Sequence, residues 1–410
     1  MSRKNIVITN HTGFRNRGCE ALIRSKIYGF SEVLDKEVEF QLSSNDPVFD
    51  ASALGSAGNV NFSYLTKTPN HSKYFYLNKI IYSILSLGER LVPNLLGVNL
   101  SQQKTLRNAD IIIPSGGDIF TSDYGNFRKH ASILISSKTP VYLCSHTIGP
   151  FNKADEAYFL KCLKNVKAIS VREKSSYDYL KSLDINTRVE HVADVAFHLP
   201  ILGREEAIRI LAGFNLDIEK DKVIALSISK GIIKYSGLDD SQYYQEWVKL
   251  IKILVEEGYK IVLIPHVTEI NPDNNDVLAG KAVLQLLPLD VLQSVFHLSG
   301  ELSASEFKTV IGYCDALIGT RTHATIASLS QCIPTVSIAY SRKALGIMTD
   351  VFGSELADRL TIDAKVMSAK NIYEAFKLSL EFKPSDNVIA DIKKQSWKNF
   401  TLLKELFDKV

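Results

Sequence analysis

Short runs of apolar residues alternate with longer segments of helical periodicity along most of the chain. In a parallel sheet both faces of each strand are buried, so strands read as continuous apolar runs joined by amphipathic helices. The runs predicted as strands are 5–9, 39–43, 110–114, 141–145, 168–171, 223–228, 260–265, 316–319 and 335–339. The predicted helices include 19–34, 153–163, 174–183, 243–257, 303–313 and 325–331. The pattern predicts an α/β protein built on parallel sheets.

The chain has a natural break near residue 200, where a proline and a glycine interrupt the alternation. At 410 residues the chain exceeds the size at which a single core grows efficiently. We therefore predict an N-terminal domain, 1–200, and a C-terminal domain, 201–385. The remaining segment, 386–410, is predicted as an amphipathic helix that is a candidate to pack back on the N-terminal domain.

The composition is that of an ordinary folded protein, with 45% hydrophobic and 23% charged residues. A net charge of +3 gives no reason to expect a nucleic-acid partner. The five cysteines are scattered, which argues against a disulfide framework or a structural zinc site. No run is apolar enough to cross a bilayer, so we expect a cytoplasmic protein. The Tyr-rich stretch 74–98 is predicted to be a buried helix, with docking on the inner membrane surface as the alternative.

The segment 315–330 carries the strongest chemical signal. A buried strand ends at Gly319, a tight turn follows, and a helix begins within a few residues. The exposed N–H groups of a helix start attract anions. Arg321 and His323 add a bidentate donor and a titratable imidazole beside that start. The alternative is an ordinary turn with a surface arginine and a capping histidine, but the apolar surroundings favour an anion site.

Other basic residues follow predicted strands in the same way. His266, Lys343 and Arg172 each lie just beyond an apolar run. Taken singly, each has an ordinary explanation: a loop hydrogen bond, a solvated charge, or an ion pair with the adjacent Glu173. Because carboxyl ends of parallel strands share one edge of a sheet, their convergence predicts a site for a phosphorylated, carboxylated substrate.

Three small-residue turns follow strands in the first half. They contain Asn16, Gly117 with Asp118, and His146. The loop around Asn16 fits neither the dinucleotide fingerprint nor a phosphate-binding loop of the Walker type. Each turn is a weak signal, since glycines commonly serve turns.

These motifs together resemble the polysaccharide pyruvyltransferases in order and spacing. The matching segments are Arg-Asn-Arg-Gly-Cys-Glu-Ala-Leu (15–22), Ser-Gly-Gly-Asp (115–118), Ser-His-Thr-Ile-Gly-Pro-Phe (145–151), Ile-Ser-Val-Arg-Glu-Lys-Ser-Ser (169–176), Val-Ala-Asp-Val-Ala-Phe (192–197), Ile-Pro-His-Val (264–267), Gly-Thr-Arg-Thr-His-Ala (319–324) and Ala-Tyr-Ser-Arg-Lys (339–343). The resemblance covers residues 5 to 350. It implies two Rossmann-like domains facing across a cleft, similar to B-type glycosyltransferases. It also implies a transferase of polysaccharide biosynthesis, acting on exopolysaccharide or cell-wall glycans.

The resemblance further implies phosphoenolpyruvate as the donor substrate and a pyruvyl ketal on a glycan or lipid-linked sugar as the product. Arg172, Arg321 and His323 match positions for donor binding and catalysis, and His266 and Lys343 match recurrent positions of the family. We predict His323 as general acid, with Arg321 and Arg172 holding the phosphate and the carboxylate in either order. Asn16, Gly117, Asp118 and His146 are the further substrate-binding candidates. No cofactor and no metal are expected.

Two departures concern the half that we assign to the acceptor. Cys19 stands where many members have Asp, and His146 stands where many have Gln or Ser. The alternative function is a nucleotide-sugar-dependent glycosyltransferase of B-type fold, since fold alone does not decide function. A binding protein that has lost the reaction is a further alternative, which the complete set of Arg172, Arg321 and His323 disfavours.

Overall fold

The computed structural model describes residues 3–55, 59–64, 105–122, 127–136, 138–217, 219–339 and 342–408; for 63, 64, 136, 342 and 343 it describes the backbone alone. The chain forms two compact units. The first unit comprises Met1–Gly13, Phe30–His191 and Leu403–Val410, and the second comprises Phe14–Gly29 and Val192–Leu402. The second unit thus includes an early segment of the chain, which the sequence division at residue 200 had assigned to the N-terminal domain.

The first unit is built on a parallel sheet. Its strands are β1 (Lys4–Thr9), β2 (Val38–Ser44), β3 (Val60–Tyr64), β4 (Ile111–Pro114), β5 (Gly117–Phe120), β6 (Val141–Ile148), β7 (Val166–Val171) and β8 (Arg188–His191). They lie in the order β3-β2-β1-β4-β6-β7-β8, and β5 pairs with β6 beside this path.

The second unit is built on another parallel sheet. Its strands are β9 (Val223–Ser227), β10 (Lys260–Leu263), β11 (Val295–His297), β12 (Ala316–Gly319), β13 (Thr335–Ala339) and β14 (Thr361–Asp363). Their order, β11-β10-β9-β12-β13-β14, is the 3-2-1-4-5-6 order of a Rossmann-like domain.

Within the described residues, helices connect most of the consecutive strands, although β5 follows β4 after a short turn. The bounds of the helices are Arg17–Val33, Pro47–Leu54, Phe127–Ser136, Lys153–Cys162, Lys174–Ser182, Arg204–Ala212, Ile233–Ser236, Asp240–Glu256, Asp276–Leu286, Leu289–Leu292, Ala304–Ile311, Thr322–Leu329, Arg342–Phe352, Ser354–Leu360, Ala369–Glu381 and Asp386–Asp408. None of these helices is long and apolar enough to cross a membrane.

The central strands of the second sheet are apolar at nearly every position because buried side chains cover both of their faces. In β9, Ile224 and Leu226 join one buried cluster with Trp247. Val223 and Ala225 join a second cluster on the other face. Side chains alternate between faces along a strand, so a strand buried on both sides lacks the alternation of apolar and polar residues that marks a half-exposed strand.

The α/β class predicted from the sequence is confirmed, and each of the nine predicted strands is present. Three helices begin two or three residues earlier than predicted, at Arg17, Asp240 and Thr322. The predicted start at 325 is therefore wrong, and the helix that begins at Thr322 includes His323 in its first turn. The stretch 74–98, considered for membrane docking, lies outside the described residues. Of the C-terminal helix, residues up to Leu402 group with the second unit and later ones with the first.

Candidate functional site

Polar side chains gather at the carboxyl ends of β9, β10 and β12 in the second unit. β9 and β12 are neighbours, with Ser227 paired to Gly319, although β10 and β11 separate them in the sequence. Such a reversal of winding leaves a crevice where ligands of open α/β sheets bind. Thr320 fixes the turn after β12, because its N and Oγ1 donate to Ser227 O at 2.9 and 2.8 Å. That turn leads into Arg321 and His323.

Arg321 is held by a buried carboxylate. Its Nε donates to Asp276 Oδ2 at 3.1 Å, and its Nη2 donates to Asp276 Oδ1 at 2.7 Å. The same Nη2 donates to Asn274 Oδ1 at 3.0 Å. The Asp276 side chain is fully buried, whereas 22% of the Arg321 side chain is exposed. Burial raises the pKa of Asp276, and the Arg321 guanidinium opposes that rise. The plane of the guanidinium group is therefore set by Asp276.

His323 packs against the main chain of Gly18. A Cβ atom added to Gly18 would lie 2.4 Å from His323 Nδ1 and 3.1 Å from Asn16 Oδ1. The first of these distances is shorter than real Cβ contacts, so a side chain at Gly18 would displace the imidazole. Both residues lie in the first turn of their helices, Arg17–Val33 and Thr322–Leu329. Two helix starts, each with partial positive charge, therefore meet at His323.

The segment that carries Gly18 is hydrogen-bonded to the loop after β10. Arg17 N donates to His266 O at 2.8 Å, and Thr268 N donates to Arg15 O at 2.8 Å. Asn16 forms an antiparallel bridge with Val267 between these bonds. Asn16 Oδ1 also accepts from Gly18 N at 3.0 Å. Asn16 thereby caps the first helix and joins that helix to the second unit.

Arg17 and Glu20 form a buried pair behind this segment. Arg17 Nη1 donates to Phe14 O and, at 3.3 Å, to Glu20 Oε2, and its Nη2 donates to Gly300 O at 2.7 Å. Glu20 Oε1 accepts from Arg24 Nε at 2.6 Å. Burial lowers the pKa of Arg17 and raises that of Glu20. The network holds three charged side chains with little access to water.

His266 is a buried histidine beside these groups. Its ring stacks on Phe307, with centroids 5.5 Å apart and planes 25° apart. Burial lowers the pKa of His266 to about 3, and the neighbouring His323 and Arg321 act in the same direction. His266 therefore stays neutral at physiological pH.

A second polar cluster lies in the first unit, at the ends of β6 and β7. Arg172 Nε donates to Thr147 Oγ1 and Glu173 Oε1, both at 3.1 Å, and its Nη2 donates to Asp118 Oδ1. Thr147 Oγ1 donates to Glu173 Oε1 at 2.6 Å. The Arg172 and Glu173 side chains are 4% exposed and that of Asp118 is 28% exposed. Asp118 is the most accessible member of this ion-pair cluster.

The turn before Asp118 needs glycine. Gly116 and Gly117 have φ angles of 97° and 78°, in the left-handed region where a Cβ atom is unfavourable. Gly117 pairs with His146 between β5 and β6. His146 is fully buried, and its ring lies 4.7 Å from that of Phe120.

The predicted site residues thus fall into two groups. The second unit brings together Asn16, His266, Arg321 and His323, and the first unit brings together Gly117, Asp118, His146 and Arg172. The side chain of Lys343 lies outside the described residues.

Sequence reasoning missed the carboxylates that hold the arginines of the second unit. Glu20 was noted only as part of a motif, and Asp276 was not singled out. Asp276 ends an Asn- and Asp-rich stretch, 271–276, which is typical of helix starts. That pattern signals a cap, but it does not indicate which carboxylate turns inward to an arginine 45 positions away.

The described residues contain no group of three or more His, Cys, Asp or Glu arranged to hold a metal ion. The second unit offers guanidinium groups, imidazoles and helix starts, which suit an anionic ligand. The first unit offers a carboxylate fixed by an arginine, which suits a ligand with hydroxyl groups.

Solved structures with similar folds cover nearly the whole chain. The UDP-GlcNAc 2-epimerase from Neisseria meningitidis, bound to UDP-GlcNAc, is 14% identical with a TM-score of 0.58, covering 99% of this chain and 100% of that one. Anabaena HepE, in complex with UDP and glucose, is 11% identical with a TM-score of 0.52 and complete coverage of both chains. These likenesses support the fold with two Rossmann-like units, similar to B-type glycosyltransferases.

Sequence comparison adds a relative and a family. The amylovoran biosynthesis protein AmsJ of Erwinia amylovora is 27% identical over 307 residues, 70% of this chain and 72% of that protein. The sequence model of the polysaccharide pyruvyl transferase family matches residues 41–342, which is more than half of the chain. With this match, the protein belongs to the polysaccharide pyruvyl transferase family.

Proposed function

We propose that this protein transfers the pyruvyl group of phosphoenolpyruvate to two hydroxyl groups of a sugar in an exported polysaccharide, forming a ketal. The observation that carries the proposal is that Arg321 and His323 both lie at the start of one helix in the second unit. Phosphoenolpyruvate carries a phosphate and a carboxylate, and its chemistry begins with protonation of its methylene carbon. An anion site beside an imidazole suits both requirements.

The charge balance of the second unit favours binding of the anionic donor, phosphoenolpyruvate, in that unit. Among the described residues, the ion pairs around this site contain three guanidinium groups, from Arg17, Arg24 and Arg321, and the carboxylates in direct contact with them are those of Glu20 and Asp276. The two helix starts beside His323 add partial positive charge. Groups that already point to the position of a developing negative charge need no rearrangement during the reaction. We assign the phosphate to Arg321 and the start of helix Thr322–Leu329.

The charge balance of the first unit favours binding of the sugar acceptor in that unit. One guanidinium group, that of Arg172, faces the two carboxylates of Asp118 and Glu173. A donor carboxylate at Arg172 would have to compete with both. We therefore replace the expected carboxylate clamp with another role for Arg172, which is to fix Asp118 as an acceptor of hydrogen bonds from sugar hydroxyl groups.

The proposed reaction conserves all atoms. His323, as the imidazolium, donates a proton to the methylene carbon, which becomes a methyl group and leaves a cationic centre at the carbon bearing phosphate. A sugar hydroxyl attacks this carbon and gives up its proton, and the C–O bond to phosphate then breaks. A second hydroxyl attacks the resulting cation and gives up its proton, which closes the ketal. Of the two protons released by the hydroxyl groups, one restores the imidazolium and the other leaves on the phosphate. Inorganic phosphate is the second product.

Thermal unfolding with added ligands tests the donor assignment. Phosphoenolpyruvate should raise the melting temperature, because a ligand at a hundredfold its Kd stabilises the native state by about 2.7 kcal/mol. Arg321→Ala should abolish the shift and the release of inorganic phosphate in the presence of a glycan acceptor. Arg209→Ala, which removes an exposed arginine of the same unit, should keep both. A shift with UDP- or GDP-sugars alone would reject phosphoenolpyruvate and favour the glycosyltransferase alternative.

A further inference from the structure

Asp276 stands at the junction of the elements that form the second-unit site. Its backbone N donates to Val267 O at 2.7 Å, and its Oδ2 accepts from Val267 N at 3.0 Å. These two bonds close the loop from Val267 to Asp276 at its base, and Thr268 and Asn275 form an antiparallel bridge inside it. Asp276 is therefore fixed by main-chain contacts that do not involve Arg321.

The same loop holds the segment beside His323. Val267 bridges to Asn16 on its other side, and Asn16 caps the helix whose Gly18 packs against the imidazole. Residue 267 thus connects, through two short paths, to both groups that we assign to the donor. The loop is a common support for Arg321 and His323.

An arginine in this place needs such a support. Its long side chain has many rotamers, and a partly exposed guanidinium tends to extend toward water. The two parallel contacts from Asp276 to Nε and Nη2 specify both the position and the plane of the group. The contact from Asn274 to Nη2 adds a third constraint.

We infer that Asp276 is a positioning residue, which acts through Arg321 by holding its guanidinium group in the orientation required to bind the donor phosphate. The inference rests on the proposed function, since it assigns Asp276 a part in that reaction. A purely electrostatic role predicts the reverse effect on binding. Removing the negative charge of Asp276 would make the site more positive and would strengthen the attraction for an anion.

Asp276→Asn separates these two roles, because it keeps the shape of the side chain and removes its charge. We expect kcat/KM for phosphoenolpyruvate to fall about 100-fold, as for other small displacements of a reacting group. The loss should appear mainly in kcat, because the oriented contact is worth most in the transition state. An unchanged or higher kcat/KM for phosphoenolpyruvate in Asp276→Asn would overturn the inference.

A double-mutant cycle with Arg321→Ala provides the test of action through Arg321. If Asp276 works only by positioning Arg321, the double variant should be as active as Arg321→Ala alone. Independent structural damage would instead make the two losses multiply, which would overturn the inference. Asp315→Asn serves as the control, because the Asp315 carboxylate accepts from Val223 N at the opposite end of the same sheet. It should retain wild-type kcat and KM.

A second variant and the activity of the wild type separate a failure of this inference from a failure of the proposed function. If Asp276→Asn does not fold, Asn274→Ala removes the third contact to Arg321, together with the bond from Asn274 Nδ2 to Glu269 Oε2, and keeps both contacts from Asp276. It should lower kcat about tenfold in the same assay; unchanged kcat would overturn the inference. If the wild-type protein releases no phosphate from phosphoenolpyruvate and is not stabilised by it, the proposed function fails and the inference fails with it. Normal activity of Asp276→Asn would reject the inference alone.

Discussion

At the scale of single residues, the contact between Gly18 and His323 links a position without a side chain to the proposed acid. Alanine at a helix position usually stabilises a helix relative to glycine, by about 1 kcal/mol. At Gly18 the added Cβ atom would meet the imidazole at 2.4 Å, and the side chain of His323 would turn away. Stability and activity should therefore respond in different ways to this substitution.

Gly18→Ala should keep or slightly raise the melting temperature while phosphate release falls about 100-fold. His323→Ala should give a similar loss of turnover, since both changes remove the imidazole from its place. The matched control is Gly203→Ala at the start of another helix in the same unit, where a Cβ atom meets nothing within 4 Å. Turnover in Gly18→Ala close to the wild-type rate would show that His323 does not act from this position.

His266 should make the folded protein sensitive to mild acid. Its pKa is about 3 in the fold, against an ordinary value of 6.5. Between these pH values the unfolded chain binds a proton that the native state does not, so the stability from His266 is complete above pH 6.5 and is lost as the pH falls toward 3. The slope from one such group approaches about 1.4 kcal/mol per pH unit.

Denaturant unfolding of the wild type and His266→Gln at pH 5 and pH 7.5 measures this contribution. Other groups titrate in both proteins, so the difference between the two slopes is the relevant quantity. The free energy of unfolding should fall less in the variant than in the wild type on going to pH 5. Parallel slopes would mean that His266 is protonated in the native state.

At the scale of elements, a buried lysine joins helix Ala304–Ile311 to the segment that enters the second unit. Lys308 Nζ donates to Leu199 O at 2.9 Å and to Phe197 O at 3.3 Å, and only 3% of the residue is exposed. Burial lowers the pKa of Lys308 from 10.5 to about 7, and Lys393 acts in the same direction. The ammonium form is therefore costly in the fold.

Lys308→Met should remove a pH dependence on the alkaline side. Between pH 7 and 10.5 the unfolded lysine stays protonated while the native one is neutral, so wild-type stability should rise with pH relative to the variant. Urea unfolding at pH 7 and pH 9 checks this expectation, with a difference in slope of up to about 1.4 kcal/mol per pH unit. No difference would indicate that Lys308 remains charged in the native state.

The central strands could be predicted from the sequence because burial on both faces makes each of them a nearly continuous apolar run. β9 and β12 are apolar at nearly every position, and both were predicted. The edge strand β8 was missed, since Arg188 and Glu190 give it the polar character of a surface segment. β11 and β14 have three residues each, too few to show any period.

At the scale of the whole molecule, the family and the class of fold could be predicted from ordered motifs and alternation. The partners of the site residues could not. Arg321 was predicted to bind an anion. Its contact with Asp276 forms only because the loop after β10 brings that carboxylate beside the turn after β12. The membership of Asn16 in the second unit depends on a bridge to Val267, 251 positions away. Such pairings follow from tertiary structure and leave no local pattern.

The division of the chain also bears on how such enzymes exchange parts by recombination. Because Phe14–Gly29 and Val192–Leu402 form one unit, a single crossover near residue 192 would join a second unit from one parent to an Asn16–Gly18 segment from another. The bonds from Arg17 to His266 and Gly300 would then have to form between residues of different ancestry. A chimaera designed to exchange the first unit must keep both segments of the second unit from the same parent, which requires crossovers on each side of Phe14–Gly29 as well as near Val192 and Leu402.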